Sequence, residues 1–205
     1  MRLTFPDPPL SAAGIVLRRL AASDVGWITA ACRDRELSRY MPALPYPYAE
    51  ADARAFTKQA ARGWAEGTGA AFVIARAADG DGLGTIELHL NEADPGLAEI
   101  GYWLRREARG HGAATTAVRL VANWAFGELG IERLNLTTLP ENAPSQRVAD
   151  RAGFTREGLL RAWIATADGR CDAVMYSLLP DDPGRMRSVE HTSAASDREM
   201  GTDGE

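Results

Sequence analysis

Seven strand-like and four helix-like segments interleave along a chain of 205 residues. That order predicts an α/β (α+β) domain in which a mixed, mostly antiparallel sheet is flanked by helices. Three strand-like runs between residues 70 and 104 follow one another across short turn-rich links, the pattern of an antiparallel meander. Two longer segments, 50–66 and 113–129, repeat apolar residues at helical spacing. Between the meander and the second of these lies a glycine-bearing junction, where the period changes from two to 3.6.

Residues 1–13 contain Pro6, Pro8 and Pro9 and read as an irregular lead-in to a first strand, Gly14 to Leu20. Ser23 offers an N-cap, and Val25, Ile28 and Cys32 share one face of a first helix. Arg39 to Tyr48 holds three prolines among three tyrosines and is expected to be a loop. A second helix spans Glu50 to Glu66, stopped by Gly67 and Gly69. Strands Ala70–Ala77, Leu83–Leu90 and Leu97–Leu104 form the meander. The third helix carries Ala114, Ala117, Val121 and Ala125 on one stripe and ends at Gly130. Strand Ile131–Leu139, a short helix over Ser145–Ala152, and a hairpin of Phe154–Thr166 with Cys171–Leu179 complete a seven-stranded, four-helix domain over residues 1–180. Residues 181–205 lack apolar periodicity and carry seven acidic residues against three arginines, so an acidic, disordered tail is expected there.

The formal net charge of -5 resides mostly in that tail, leaving a nearly neutral domain with no basic surface for nucleic acid. Cys32 and Cys171 fit neither a metal spacing nor a disulfide framework. With no signal-like apolar start and no run approaching the ~20 apolar residues of a membrane span, the expected compartment is the cytoplasm and no membrane partner is expected.

The most informative stretch is Arg109-Gly110-His111-Gly112-Ala113-Ala114, where strand Leu97–Leu104 passes into a helix. The first N–H groups of a helix have no intrahelical acceptor, and the peptide dipoles place partial positive charge there. Gly110 and Gly112 let an anion approach the backbone, and Arg109 adds a cation. A diphosphate suits such a junction. A P-loop would require Gly-Lys-Ser/Thr, and the chain's one lysine is Lys58; a dinucleotide fingerprint would require glycine at Thr115.

This strand, turn and helix resemble the acetyl-CoA site of the GNAT superfamily of N-acetyltransferases, whose turn reads Arg/Gln-x-x-Gly-x-Gly/Ala. A second match, Asn142-x-x-Ser145-x-x-Val148-x-x-Arg151-Ala152-Gly153-Phe154, follows in the family's order. Glu157-Gly-Leu-Leu-Arg161 and Gly169-Arg170-x-Asp172-x-x-x-Tyr176-Ser-Leu-Leu179 are similar to the end of the branch that contains the ribosomal-protein N-terminal acetyltransferases. The resemblance spans roughly residues 14 to 180.

It implies acetyl transfer to a primary amine by direct attack on the thioester, with acetyl-CoA as co-substrate and no metal. Arg109, Gly110, His111, Gly112, Ala113 and Ala114 would hold the diphosphate. Tyr102, Trp103 and Leu104 would pair with the pantetheine arm, with the Leu104 N–H as oxyanion donor. Asn142 and Ser145 match coenzyme contacts, though both residue types also start helices. Glu99 stands where several family members have a general base. Strand alternation puts it on one face with Gly101 and Trp103. Many family members have a tyrosine acid for the departing thiolate; its position is Ala149, which leaves Ser145 as donor or the thiolate departing unprotonated. Glu87 and His89 share a face of the preceding strand and, with Tyr40, Tyr46, Tyr48 and Trp163, are the expected walls of the acceptor site; aromatic packing is their competing role. The acceptor is a protein N-terminal amine on the branch resemblance, or a small amine such as an antibiotic, polyamine or amino acid. A non-catalytic acyl-CoA-binding module is the third reading, and the chain is expected to be a monomer or homodimer.

Overall fold

A computed structural model describes residues 3–42, 44–166 and 169–183. The expected tail beyond residue 183 and the tip of the last hairpin at 167–168 lie outside the described residues. In chain order the elements are β1 (Ser11–Ala12), β2 (Ile15–Arg18), α1 (Val25–Cys32), α2 (Arg35–Tyr40), α3 (Glu50–Glu66), β3 (Gly69–Arg76), β4 (Gly82–Leu90), β5 (Leu97–Leu104), α4 (Ala113–Glu128), β6 (Arg133–Thr138), α5 (Ala143–Ala152), β7 (Thr155–Thr166) and β8 (Gly169–Leu178). One sheet runs β1-β2-β3-β4-β5-β6-β8-β7. Every neighbouring pair is antiparallel except β5 with β6.

Among the described residues the sheet thus has eight strands, the extra one being the two-residue β1 inside the expected lead-in. It pairs Ser11 with Val16 and Ala12 with Ile15 across the left-handed turn at Ala13 and Gly14. A fifth helix, α2, occupies residues expected in part as loop. The Asp34 side chain accepts from the Glu36 N–H, and the buried Leu37 anchors the single exposed turn, so capping and one apolar contact suffice before the prolines begin. The first helix starts at Val25. Asp24, not Ser23, precedes it, and the Asp24 carboxylate is committed to tertiary bonds: Arg18 reaches both oxygens at 2.8 and 2.9 Å, and the Trp27 indole donates at 2.8 Å.

Alternation divides the side chains of the sheet between two cores. Phe72, Ile86, Leu88, Ile100, Leu134 and Leu136 join the main core with α4, whose Ala113, Ala114, Ala117, Val118 and Val121 are buried. These small residues let the helix lie close on the strands. Trp103 points the other way, into a smaller core with Val25, Ile28, Cys32, Leu37, Tyr48 and Ala53 from α1, α2, α3 and the loop between. Gly84 lets β4 and β5 close where they carry Trp103 and Leu104. A Cβ there would lie 2.0 Å from the Trp103 carbonyl oxygen.

Candidate active site

The site begins where two strands part. β5 pairs with β6 only through Leu97–Arg133, Ala98–Leu134 and Glu99–Asn135. Beyond that point β5 stays with β4 as far as Leu104–Gly84, while β6 stays with β8 as far as Thr138–Val174. Each strand follows its other neighbour, and a wedge opens between them.

The β4–β5 ladder fixes which backbone groups line the wedge. Asn91 N–H donates to the Leu97 carbonyl and Arg105 N–H to the Leu83 carbonyl. In an antiparallel ladder the bonded positions then alternate, so 97, 99, 101, 103 and 105 face β4. Tyr102 and Leu104 direct their N–H and C=O groups the opposite way, into the wedge. This orientation suits the expected pairing with an extended ligand arm at Tyr102 and the expected oxyanion donor at Leu104. Trp103, expected with them, instead turns its backbone to β4 and its side chain into the smaller core, because alternation sends it the other way.

At the open end of the wedge stands the start of α4. Gly112 is its N-cap, and both Gly110 and Gly112 have φ of +84°, a left-handed conformation that favours glycine. The first intrahelical bond runs from Thr116 N–H to the Gly112 carbonyl. The N–H groups of Ala113, Ala114 and Thr115 therefore have no helical acceptor and present positive partial charge. Wedge and helix start form one cleft of about 520 Å³, which runs from Ile100–Leu104 past Gly110–Thr115 to Asn142, Ser145 and Val148. His111 is exposed beside it.

Arg109 lines the cleft, but its guanidinium is engaged elsewhere. It donates to the Leu104 carbonyl at 3.0 Å, to Asp34 at 3.0 Å and to Glu36 at 2.8 Å. In this state it ties α2 to the end of β5. Two arginines of α5, Arg147 and Arg151, also line the cleft. Arg151 was visible as part of the second motif; Arg147 had no signal beyond its place on the same short helix.

On α5 Asn142 and Ser145 form the helix cap and also line the cleft. The Asn142 side chain accepts from the Ser145 N–H at 3.1 Å and starts the helix. Ser145 Oγ lies 2.9 Å from the Tyr102 hydroxyl, across the wedge. Ala149 is fully buried in the core.

The opposite face of the sheet gathers carboxylates. Glu99 sits at the point of parting, and Thr137 of β6 donates to its carboxylate at 2.6 Å. His89 is the cross-strand partner of Glu99, and Glu87 that of Gly101, so all share that face. Burial pushes the Glu87 carboxyl above its ordinary range, with His89 opposing from 3.7 Å. Thr137 was missed from sequence, although the period of two in Arg133–Thr138 would have placed it beside a site on Glu99's face.

The expected aromatic walls separate. Tyr40 lines the cleft with Leu37 and Met41. Tyr46 is 58% exposed and its hydroxyl accepts from Arg35. Tyr48 is buried in the smaller core beside Cys32, and burial raises the pKa of both groups, the Cys32 thiol to about 12. Trp163 is 51% exposed on β7 and is not among the cleft residues. Tyr48 therefore serves packing, the alternative open to it in sequence, because its loop folds down onto α1.

Residues 15–155 match the acetyltransferase (GNAT) domain family. The chain is 29% identical over 165 residues to a Bacillus licheniformis protein named as an uncharacterized N-acetyltransferase, p20, covering 80% of this chain and 92% of that protein. It is 38% identical over 101 residues to YdaF of Bacillus subtilis (strain 168), named as a ribosomal N-acetyltransferase, and there spans about half of each chain, 49% of this one and 55% of the other. Its fold is that of Mycobacterium smegmatis RimJ in complex with CoA-disulfide, with a TM-score of 0.73 and 22% identity over 82% of this chain and 83% of that one. A strand pair that parts beside a helix start is thus found in a chain whose family assignment covers that same stretch, and the chain belongs to the GNAT family of acetyltransferases.

Proposed function

We propose that this enzyme moves an acetyl group from acetyl-CoA to a primary amine by direct attack in a ternary complex. The observation that carries the reading is the parting of β5 from β6 at Glu99–Asn135, because it opens one path to both faces of the sheet. On the α4 and α5 side, the N–H groups of Ala113, Ala114 and Thr115 suit a diphosphate, and the wedge-facing backbone of Tyr102 and Leu104 suits the pantetheine arm. The complex of RimJ with CoA-disulfide supports a coenzyme on this fold. Arg109 would meet it by releasing Asp34 and Glu36 or by staying with them while Arg147 and Arg151 carry the phosphate charge.

On the other side, Glu99 is set to take the proton of an attacking ammonium, directly or through water, with Thr137 orienting it. The nitrogen attacks the thioester carbon, the Leu104 N–H faces the developing oxyanion, and the C–S bond breaks with its electron pair on sulfur. Cys32 remains a neutral buried thiol with its pKa at about 12, which favours direct transfer over an acyl-enzyme at that residue.

The ribosomal acceptor in the name of YdaF favours a protein amine, which we take to be an N-terminal one on the branch resemblance, and the carboxylate Glu99 suits any cationic amine. Thiol release from acetyl-CoA across peptides with free N-termini, polyamines, aminoglycosides and amino acids separates these. Turnover with none of them, alongside tight coenzyme binding, would favour the non-catalytic acyl-CoA module. We further place the working domain within residues 1–180 in the cytoplasm, as a monomer or homodimer. Removing residues 183–205 is expected to leave turnover and melting temperature unchanged, since their composition offers no apolar face to bury.

A further inference from the structure

Ala149 is buried and brings no hydroxyl from α5, but a tyrosine hydroxyl reaches the cleft from β5. Tyr102 stands on β5 where pairing with β6 has ceased, so its side chain has room to cross the wedge. There its hydroxyl lies 2.9 Å from Ser145 Oγ and 3.4 Å from the Ser145 carbonyl oxygen. Ser145 is in turn fixed by its N–H bond to Asn142. Two hydroxyls from opposite walls thus meet among the residues lining the cleft.

We propose that Tyr102 is a positioning residue for Ser145: its O–H donates to Ser145 Oγ, which turns the Ser145 proton into the cleft to hydrogen-bond the sulfur as the coenzyme thiolate departs. This rests on the acetyl-transfer reading above.

Chemistry decides between donating a hydrogen bond and giving up a proton. Burial pushes the Tyr102 phenol to about 12, partly offset by its bond to Ser145, whereas a thiol ordinarily titrates near ~8.5. A full transfer from Tyr102 to sulfur would run uphill, and one from a serine hydroxyl more so. The pair therefore stabilises the anion without being consumed. The C–N bond forms, the C–S bond breaks with its electrons on sulfur, the amine proton leaves through Glu99, and the thiolate takes its proton from water after release. A donor that is itself receiving a hydrogen bond is the stronger donor, which is what Tyr102 adds to a lone serine.

The test reads the sulfur. Coenzyme A bound to the protein is titrated by its thiolate ultraviolet absorbance, as a difference against the coenzyme-free protein so that Cys32 and Cys171 cancel, in wild type, Tyr102→Phe, Ser145→Ala and the double variant. Each single variant is expected to raise the bound thiol's pKa by about one unit and to lower kcat about tenfold, with coenzyme affinity unchanged, and the double variant to match Ser145→Ala. Additive losses, or a Tyr102→Phe protein with wild-type thiol titration and turnover, would overturn the pairing. If Tyr102→Phe does not fold, 3-fluorotyrosine at 102 keeps the shape with a more acidic hydroxyl and should lower the bound thiol's pKa; no shift would overturn the proposal. A wild-type protein that binds coenzyme A with the expected thiol shifts yet acetylates no amine would break the acetyl-transfer reading and leave the hydroxyl pair standing.

Discussion

The two sides of the wedge are made of different materials. Toward α4 and α5 the groups that would face a ligand on the proposed reading are mostly backbone: the N–H groups at the start of α4 and those of Tyr102 and Leu104 along the parted edge of β5. Toward α1 and α2 they are side chains, Glu99 held by Thr137 and Tyr40 on α2, while Glu87 and His89 line a separate hollow against α3. Backbone can serve one constant ligand in many proteins with few residue identities fixed, whereas a wall of side chains is rewritten whenever the acceptor changes. The first side reads as a coenzyme site and the second as the variable one.

Four substitutions sharpen that contrast. The largest effect is expected for Glu99→Gln, which removes the proposed proton acceptor and should lower kcat by about 10²–10⁴ while calorimetry shows unchanged coenzyme affinity. Full activity across pH would transfer the role to Glu87.

Asp24→Asn comes next, because α1 leans on Asp24 through Arg18 and Trp27 and removing one charge strands its partner. The expected loss is about 2–3 kcal/mol of stability in thermal melts at pH 7. Burial alone would raise the Asp24 pKa, but Arg18, Trp27 and the Ala21 N–H hold it below the usual carboxylate range. A carboxyl whose pKa is lower folded than unfolded stabilises the fold above its unfolded pKa, about 3.9, and loses that contribution as pH falls through the folded value. The gap between wild type and Asp24→Asn should therefore narrow in melts at pH 3.

Gly112→Leu strikes the backbone side. A leucine side chain there closes the approach to the backbone N–H groups, so coenzyme affinity should fall by calorimetry, while the left-handed φ separately costs stability, roughly 1–2 kcal/mol. Equal affinity would remove the diphosphate from this junction. Arg109→Ala has the smallest expected effect. It loosens a link between the two sides, worth about 1 kcal/mol for a partly exposed ion pair, and should lower the melting temperature more than it weakens the coenzyme. A large loss of affinity would show Arg109 turning to the phosphate.

The same division explains what could be read in advance. Segments with a clear period, Glu50–Glu66 and Leu97–Leu104, have the bounds expected of them. The glycine turn was legible because positive φ and close approach leave a mark in residue type. β1 and α2 were not, since two paired residues or one capped turn are too short to show a period. Nor could spacing tell that Tyr48 folds inward while Tyr40 reaches the cleft, or that Arg109 meets Asp34 and Glu36 some 75 and 73 residues away. Those contacts depend on how loops lie, and one period looks the same in either case. The Tyr102–Ser145 pair, 43 residues apart, was hidden for the same reason.

The parting of β5 from β6 also limits what can block this enzyme. The slot is lined from α5 on one face of the sheet and from α2 on the other, so on the reading proposed above an inhibitor confined to either mouth would compete with only one reactant. A molecule that joins coenzyme to acceptor through the slot meets the second site at the local concentration its linker sets, so its affinity can exceed either half by about 10²–10⁴ with no new contact. The linker's geometry is set at Glu99–Asn135, the last rung before the strands diverge. A tether too short to pass that rung would gain nothing over its better half.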